Sequence, residues 1–255
     1  MPVNRELIAG TPAVKINIPV PLSFCQGCQH GSATRAIWES INDLNLEERL
    51  IWVGGVTCGT VSAFISDLDA IGPVPHGRAP DIASAMRRVS DQDTVIITYQ
   101  GDGDAIAIGT ESLIQAAARA ERITVFMVNN ANYGTTGGQM APTTIIGQKT
   151  TTSPSGRGEN QEGFPINAAE LVAGLRGTAY SARGSLTSPT NYIRTKKYIK
   201  RAFQKQLDNK GFSFVEILSA CPPNWAMKPV DCLKWIDSNL TEQYPLGEFK
   251  NVDIL

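Results

Sequence analysis

Two glycine-rich segments of this 255-residue chain carry side chains that could bind a metal ion. They are Gln100–Gly109 (QGDGDAIAIG) and Val128–Gln139 (VNNANYGTTGGQ). Asp102 offers a carboxylate oxygen, Asn130 offers an amide oxygen, and the backbone carbonyl of Asn132 could add a third ligand. Mg²⁺ prefers hard oxygen ligands of this kind and is commonly shared with the phosphates of a substrate. The two segments therefore indicate a magnesium site that also accepts a phosphate group.

The glycines of the first segment favour a phosphate at the same place. Gly101 and Gly103 have no side chain, so the backbone can approach a phosphate closely. A helix that begins near Ala105 would direct its positive end at the anion. Taken alone, the GDGD sequence is more typical of a tight turn. Asn130 follows Asp102 by 28 positions, and this spacing resembles that of the magnesium–diphosphate motif of thiamine diphosphate enzymes. The pair therefore favours a phosphate site over a simple turn.

Four cysteines form a second candidate site. Cys25 and Cys28 stand in a CQGC sequence before a predicted helix, and Cys58 and Cys221 each follow a predicted strand. The four thiols could converge as a tetrahedral zinc site or an iron–sulfur cluster, or Cys25 and Cys28 could act alone as a redox pair. Spacing does not separate zinc from iron–sulfur. Cys232 is interpreted as a small buried hydrophobic residue.

The elements that must position these residues alternate between strands and helices. Short apolar runs typical of buried parallel strands cover Leu50–Val56, Thr94–Tyr99, Ile123–Asn129, Thr178–Ala182 and Ser213–Ser219. Helical patterns cover Ser32–Asn42, Ala79–Val89, Ile108–Ala120, Ala168–Leu175 and Asn191–Asn209. The alternation predicts an α/β fold, a parallel sheet with helices on both faces. Both glycine-rich segments then lie at the carboxyl edge of the sheet, where such folds bind ligands.

Composition excludes several functions. Hydrophobic residues make up 42% of the chain, which indicates a globular protein. The formal net charge of −1 gives no bulk attraction to nucleic acid or to an anionic membrane. No apolar stretch approaches the roughly 20 residues that span a bilayer, and the first residues lack a signal-peptide core, so a cytoplasmic location is expected. Charged residues make up only 18%, in agreement with buried subunit contacts.

Three regions do not follow the alternation of strands and helices. Residues 1–24 contain four prolines and are predicted to form an extended N-terminal arm. Residues 146–166 are polar and predict a long loop, of the kind that covers a site or is disordered. Residues 222–255 have no clear period and are set apart as a C-terminal tail, which leaves 25–221 as the ligand-binding domain. The basic stretch Lys196–Lys205 is interpreted as a solvated helix face, with docking of an acidic partner as the alternative.

Four motifs together resemble the thiamine-binding β subunit of the 2-oxoacid:ferredoxin oxidoreductases. They are CQGCQHG, HGRAP at His76–Pro80, GDGDAIAIG and NNANYGTTGGQMAPTT. The resemblance runs from about Cys25 to Cys221 and implies the thiamine diphosphate-binding fold, also called the pyrophosphate domain. It implies that Cys25, Cys28, Cys58 and Cys221 hold a 4Fe-4S cluster. It also implies that Asp102, Asn130 and the Asn132 carbonyl hold Mg²⁺.

The same resemblance assigns roles to further residues. Tyr133–Thr136 would lie beside the thiazolium ring, and His76, Arg78 and Thr135 would be catalytic. His30 and His76 are the only histidines, and both are expected to help Arg78 hold the diphosphate or the substrate carboxylate. The residues implied to bind the cofactors are Gly27, Cys28, His30, Thr57, Cys58, His76, Gly101, Asp102, Gly103, Asp104, Asn130, Asn132, Tyr133, Gly134, Thr135 and Thr136.

The chain departs from the family pattern at four positions. Gln26 and Gln29 stand where the family usually has proline and glycine, and Thr57 replaces the glycine before the third cysteine. These changes bear on the polarity and potential of the cluster. Gly137 stands where some members carry a lysine that would suit a dicarboxylate. A branched-chain or other monocarboxylic 2-oxoacid is therefore the expected substrate, and 2-oxoglutarate is the alternative.

The implied activity is oxidative decarboxylation of a 2-oxoacid to acyl-CoA and CO₂. One-electron transfer would run from the thiamine adduct to the 4Fe-4S cluster and on to ferredoxin. An α subunit would supply the aminopyrimidine-binding domain, and a ferredoxin-like subunit would carry further clusters, so the chain is expected to work in a hetero-oligomer with coenzyme A as co-substrate.

Three other functions compete with this interpretation. A non-oxidative thiamine-dependent decarboxylase half-subunit would need the magnesium motif but not the cysteines. A zinc-binding interaction protein would leave both halves of the magnesium motif unexplained. A thioredoxin-like reductase built on the CQGC sequence would leave Cys58 and Cys221 without a role.

Overall fold

The computed structural model describes residues 24–63 and 65–254, so nearly all of the predicted arm at 1–24 lies outside the described residues. The strands are β1 (Leu50–Gly54), β2 (Asp69–Ile71), β3 (Val95–Gly101), β4 (Thr124–Asn129), β5 (Thr178–Ser185), β6 (Phe212–Leu218) and β7 (Gly247–Asn251). The α-helices are α1 (His30–Asp43), α2 (Ala79–Val89), α3 (Thr110–Ala118), α4 (Glu159–Glu162), α5 (Ala168–Ala173), α6 (Pro189–Leu207), α7 (Pro222–Trp225), α8 (Pro229–Trp235) and α9 (Thr241–Gln243).

The seven strands form one sheet in the order β2-β1-β3-β4-β6-β5-β7. Every neighbouring pair is parallel except β5 with β7, which is antiparallel. The five strands predicted from apolar runs are all present, and the α/β prediction is confirmed. The sequence patterns did not predict β2 and β7, because these short edge strands are exposed or half-exposed and carry no buried apolar run.

Helices cover both faces of the sheet. In β3, Ile97 and Tyr99 pack in the same apolar cluster as residues of α1 and α6, whereas Ile96 packs in a second cluster with residues of α2, α3 and α5. This is the period-2 alternation of a strand that is buried on both sides. No helix within residues 24–63 and 65–254 combines the length and the apolar character needed to cross a membrane.

Residues 222–255 are not a separate tail, in contrast to the sequence-based division. Tyr244, Ile236 and Cys232 form a small core with Leu218 at the end of β6, and β7 extends the main sheet. Pro229 packs against Gly27 so closely that a side chain at position 27 would clash with it. The sequence shows no period here because the segment is built from several short helical pieces.

The loop at 146–166 is held in place by the hydrogen bonds of one buried arginine, Arg157. Arg157 is 5% exposed and donates hydrogen bonds to backbone carbonyls before the loop, at Pro142 (3.0 Å) and Thr144 (2.6 Å), and within it, at Phe164 (2.8 Å). The planar guanidinium can serve several acceptors at once, which an amine could not do in the same geometry. Arg157 thereby connects the loop to residues 141–144, next to the candidate site.

The basic stretch of α6 is largely neutralised by ion pairs. The pairs are Lys196 with Glu39 and Asp43, Lys200 with Asp43, Arg201 with Glu248, and Lys205 with Asp253. Exposed pairs of this kind contribute little to stability, but they remove most of the net charge that an acidic partner would need. This pairing favours the solvated-face interpretation of Lys196–Lys205.

Candidate functional site

A cavity with an empty volume of about 480 Å³ opens at the carboxyl edge of the sheet, where the loops after β1, β2, β3 and β4 meet. Its lining residues are Val56, Thr57, Cys58, His76, Gly101, Asp102, Gly103, Asp104, Asn130, Asn132, Tyr133, Gly134, Thr135 and Thr136. The residues predicted to bind the cofactors line this cavity, except Gly27, His30 and three of the four cysteines, Cys25, Cys28 and Cys221. Val56 also lines it and was not predicted.

Asp102 is a buried carboxyl group with few partners. It is 2% exposed, and its oxygens accept hydrogen bonds from the Thr143 hydroxyl and, at 2.9 Å, from the Gly103 backbone N–H. Burial raises the pKa of Asp102 to about 7, because the charged form loses its hydration. A cation in the cavity would restore the charged form, so the environment of Asp102 fits a metal ligand.

The turn after β4 presents a second oxygen to the cavity. Ala131 has a left-handed backbone (φ 55°), and its N–H bonds to Asn129 Oδ1 at 3.0 Å. This turn buries Asn130 and Asn132 at 4% and 2% exposure. Asn132 Oδ1 is buried and has no hydrogen-bond partner among the described residues. An unpaired buried acceptor costs about 1–3 kcal/mol, so the side chain of Asn132, in addition to its backbone carbonyl, is a candidate ligand.

Neighbouring side chains also leave no room for a side chain at two glycines of the cavity, Gly101 and Gly103. A side chain at Gly103 would clash with the ring of Tyr133, and a Cβ atom at Gly101 would lie 2.8 Å from the Thr57 hydroxyl oxygen. Gly103 therefore lets the loop after β4 close over the loop after β3. Tight packing between the loops is thus a second reason for glycine at these positions, beside the close approach of a phosphate.

Asp104 joins three loops around the cavity. Its carboxylate accepts hydrogen bonds from Gln100 Nε2 (2.6 Å), the Gly77 N–H (2.8 Å) and the Val56 N–H (3.2 Å). His76 Nδ1 lies 2.8 Å from Asp104 Oδ1, close enough for an ion pair but without hydrogen-bond alignment. Asp104 begins a π-helical segment that ends at Ile108, a form common near functional sites. It thus positions His76 at the cavity.

Two residues expected at the site, His30 and Arg78, are not among the residues that line the cavity. His30 lies inside α1, 1% exposed, with Nδ1 2.9 Å from the Tyr99 hydroxyl oxygen, and burial lowers its pKa to about 4. Arg78 immediately precedes α2 and donates to the Ser112 hydroxyl of α3 at 2.7 Å. His30 packs closely against Gly59, and the Arg78 side chain, 41% exposed, also lies near Asp81 and Glu111. That both help to hold the diphosphate or the substrate carboxylate stays a prediction.

The four predicted cysteine ligands are free thiols, and the charges of the other three act on Cys28. The CQGC turn is closed by a hydrogen bond from the Cys28 N–H to the Cys25 carbonyl at 3.0 Å. Burial raises the pKa of Cys28 to about 12, and the charges of Cys58, Cys221 and Cys25 raise it further. Within residues 24–63 and 65–254, no three histidine, cysteine or acidic residues are grouped closely enough for one metal ion.

A hydroxyl or an amide group lies within hydrogen-bond distance of two of these sulfurs. The Thr135 hydroxyl oxygen lies 3.1 Å from Cys58 Sγ, and Asn224 Nδ2 lies 3.3 Å from Cys221 Sγ. Burial raises the pKa of Cys221, whereas hydrogen bonds from Asn224 and from the Asn132 side chain oppose this effect. Such donors stabilise thiolates and so fit the ligands of an iron–sulfur cluster.

The two candidate sites meet at Gly134. A Cβ atom on this glycine would lie 3.2 Å from Asn130 Nδ2, 3.2 Å from Cys58 Sγ and 3.6 Å from Asn132 Oδ1. The predicted metal ligands after β4 and one predicted cluster ligand therefore surround the same backbone position.

Three residues that build the site were missed by sequence reasoning. Thr143 bonds to Asp102, Asn224 bonds to Cys221, and Gln29 bonds to both the Leu186 carbonyl (2.9 Å) and the Ala220 N–H (3.1 Å). Gln29 was noted only as a departure from a family pattern. Their partners are distant in sequence, and no local pattern indicates such contacts.

Comparisons with known proteins agree with this geometry. The family model described as thiamine pyrophosphate enzyme, C-terminal TPP binding domain, matches residues 63–217. The ketoisovalerate oxidoreductase subunit VorA of Methanothermobacter thermautotrophicus is 38% identical over 233 residues, which are 91% of this chain and 48% of that protein. The 2-oxoglutarate synthase subunit KorB of Archaeoglobus fulgidus is 32% identical over 238 residues, 92% of this chain and 84% of that protein.

A solved structure has the same fold. The 2-oxoglutarate:ferredoxin oxidoreductase from Magnetococcus marinus, with 2-oxoglutarate, coenzyme A and succinyl-CoA bound, superposes with a TM-score of 0.76. It is 21% identical, and the match covers 98% of this chain and 89% of that chain. The fold and the site thus define a thiamine pyrophosphate-binding enzyme domain. The chain belongs to the 2-oxoacid:ferredoxin oxidoreductase family, among its thiamine-binding subunits. It spans about half the length of the VorA relative.

Proposed function

We propose that this chain is the β subunit of an enzyme that oxidises a 2-oxoacid and transfers the acyl group to coenzyme A. One observation carries the proposal: the candidate magnesium ligands Asn130 and Asn132 and the candidate cluster ligand Cys58 surround Gly134 at the wall of one cavity. A non-oxidative decarboxylase does not need thiols at this place, and an interaction protein does not need the buried carboxyl group of Asp102.

The reaction balances as follows. One 2-oxoacid carboxylate, one coenzyme A thiol and two oxidised ferredoxins give one acyl-CoA, one CO₂, two reduced ferredoxins and one proton. The bond between the carboxylate and the 2-oxo carbon breaks, a thioester bond forms, and two electrons leave one at a time. The chemistry requires an electron sink for the decarboxylation and a one-electron acceptor beside it.

The described residues fit the groups that would supply this chemistry. Asp102, Asn130 and Asn132 would hold Mg²⁺ and, through it, the diphosphate; Cys25, Cys28, Cys58 and Cys221 would hold a 4Fe-4S cluster. When bound, thiamine diphosphate supplies a carbon nucleophile and an electron sink, and the cluster accepts single electrons.

The chain itself orients the side chains that face the cavity and keeps water away from the reacting groups. Asp104 fixes the loop that carries His76, so that His76 faces the cavity in a set orientation. The Thr135 hydroxyl touches both the cavity and the Cys58 sulfur, and Tyr133 closes the loop over Gly103. Holding reacting groups in fixed geometry and away from water is the main protein contribution in cofactor enzymes.

The substrate we favour is a branched-chain or other monocarboxylic 2-oxoacid. Gly137 has a φ of 114°, which a residue with a side chain rarely adopts, so a lysine at this position would be strained. The loop therefore offers no cation for a second substrate carboxylate at this point. The higher identity to the ketoisovalerate relative than to the 2-oxoglutarate relative supports the same choice.

The partners we propose are an α subunit that completes the cavity and supplies the aminopyrimidine-binding domain, and a ferredoxin-like cluster subunit. Two apolar residues beside the cavity loops, Val56 and Ile108, are 37% and 53% exposed, which fits a surface covered by another chain. The five free cysteines fit a reducing compartment, and we propose the cytoplasm.

The test is a substrate panel on the anaerobically purified complex of this chain with its partner subunits. Reduction of a viologen dye should require both coenzyme A and a 2-oxoacid, with 2-oxoisovalerate turned over faster than 2-oxoglutarate or pyruvate. The matched control is the complex that carries Asp102→Asn in this chain.

Three outcomes would contradict the proposal in different ways. Release of CO₂ from the 2-oxoacid without reduction of the dye would favour the non-oxidative decarboxylase. A colourless protein that contains zinc and no iron would favour the interaction protein. Faster turnover of 2-oxoglutarate would leave the reaction class intact and overturn the substrate assignment.

A further inference from the structure

Asn224, in α7, contacts both candidate sites. Its Nδ2 atom lies 2.9 Å from the carbonyl oxygen of Gly134 and 3.3 Å from the sulfur of Cys221. Both atoms are acceptors, so the two N–H bonds of one amide group reach a loop of the cavity and a candidate cluster ligand. The backbone N–H of Asn224 also faces the Cys221 sulfur.

The side chain of Asn224 is held in this orientation by the loop itself. A Cβ atom on Gly138 would lie 2.9 Å from both Cβ and Cγ of Asn224, and Gly138 has a φ of 81°. Glycine at position 138 is thus needed for the approach. The cavity loop therefore contacts Asn224 at two of its residues, Gly134 and Gly138, and these contacts hold the loop against α7.

From this geometry we infer that Asn224 is a positioning residue for electron transfer, which fixes the cavity loop relative to the Cys221 sulfur and donates a hydrogen bond to that sulfur. The inference rests on the proposed function, because it requires Cys221 to be a cluster ligand. Hydrogen bonds to ligand sulfurs stabilise the more negative, reduced cluster and so raise its reduction potential. Removal of the Asn224 amide should lower the potential.

The experiment uses the full chain, purified without oxygen, and compares Asn224→Ala and Asn224→Asp with the unchanged protein. Asn239→Ala is the control, because the Asn239 amide lies in the same C-terminal segment and bonds to the Trp235 carbonyl and the Ser238 hydroxyl. Iron content, the visible absorption of the cluster and its midpoint potential are measured for each protein.

We expect unchanged iron content in all four proteins and a lower midpoint potential in Asn224→Ala. The potential should fall further in Asn224→Asp, where a carboxylate replaces the amide donor beside the sulfur. Asn239→Ala should match the unchanged protein. This pattern is one that a purely structural role would not produce.

Three results would overturn the inference. An Asn224→Ala protein with normal iron and an unaltered midpoint potential would remove Asn224 from the redox site and leave the proposed function standing. Loss of iron from both Asn224 variants would show that the residue is needed to assemble the cluster and not to set its potential. An unchanged protein without iron would overturn both this inference and the cluster in the proposed function.

Discussion

The proposed magnesium site (the magnesium half) and the proposed cluster site (the cysteine half) are built in different ways. The magnesium half comes from two loops that follow neighbouring parallel strands, β3 and β4, and its shape is set by local turns such as that at Ala131. The cysteine half draws on three segments, before α1, after β1 and after β6, and depends on side chains that bridge them. A local site can be assembled by two strands alone, whereas a dispersed site needs the whole domain.

The two halves share one property. Burial raises the pKa of Asp102 in the first and of Cys28 in the second, so each group takes up a proton more readily than in water while no cation is near. A bound cation would favour the charged form in both halves. The comparison predicts that the halves can be disabled separately.

The largest effect is expected from Asp102→Asn. Affinity for thiamine diphosphate in the presence of Mg²⁺ should fall by at least about 100-fold, the upper end of the loss caused by removing a group that merely supports a ligand. Iron content should stay unchanged. Quenching of tryptophan fluorescence during cofactor titration measures the affinity, and Asp69→Asn on the exposed edge strand β2 is the control. Intact cofactor affinity in Asp102→Asn would remove Asp102 from the metal site.

The converse change is Cys28→Ala, which should abolish iron binding and dye reduction. Because Cys28 does not line the cavity, affinity for thiamine diphosphate should remain. Cys232→Ala is the control: it removes a buried thiol from the C-terminal core and should keep the iron. Equal loss of iron from both variants, or loss of cofactor affinity in Cys28→Ala, would mean that the two halves are not separable.

The sequence was most informative where ligands and fold are local. Apolar runs located the five buried strands, and two continuous motifs named most of the cavity lining. The missed residues act over long distances: Thr143 is 41 positions from Asp102, Asn224 is 90 from Gly134, and Gln29 is 191 from Ala220. Such contacts depend on how the elements pack, which one sequence does not encode as a pattern.

A buried ion pair holds Asn129, at the end of β4, next to the magnesium half. Arg183 is fully buried, pairs with Glu216 at 2.8 Å and also contacts Glu170, and Glu216 in turn accepts a hydrogen bond from Asn129 at 2.7 Å. Arg183→Met should lower the free energy of unfolding by about 3–5 kcal/mol, because it leaves Glu216 charged and unpaired. Urea denaturation measures this loss.

The control for Arg183 is Arg201, which forms an exposed pair with Glu248. Arg201→Met should cost about 1 kcal/mol or less. Equal destabilisation by the two variants would show that the buried network does not support the turn at Asn129 any more than a surface ion pair does.

The smallest effect tests how the dispersed half is held together. Gln29 and Gln26 stand in the same CQGCQH sequence. Gln29 is 5% exposed and connects the residue after β5 to the residue before Cys221, whereas Gln26 is exposed in the turn. Gln29→Leu should cost roughly 1–3 kcal/mol, because it leaves the Leu186 carbonyl and the Ala220 N–H unpaired. It should also speed the loss of iron to a chelator. Gln26→Leu should change neither the free energy of unfolding nor the rate of iron loss. If the two variants lose the same stability and iron, the distance between Cys28 and Cys221 is set by backbone packing alone.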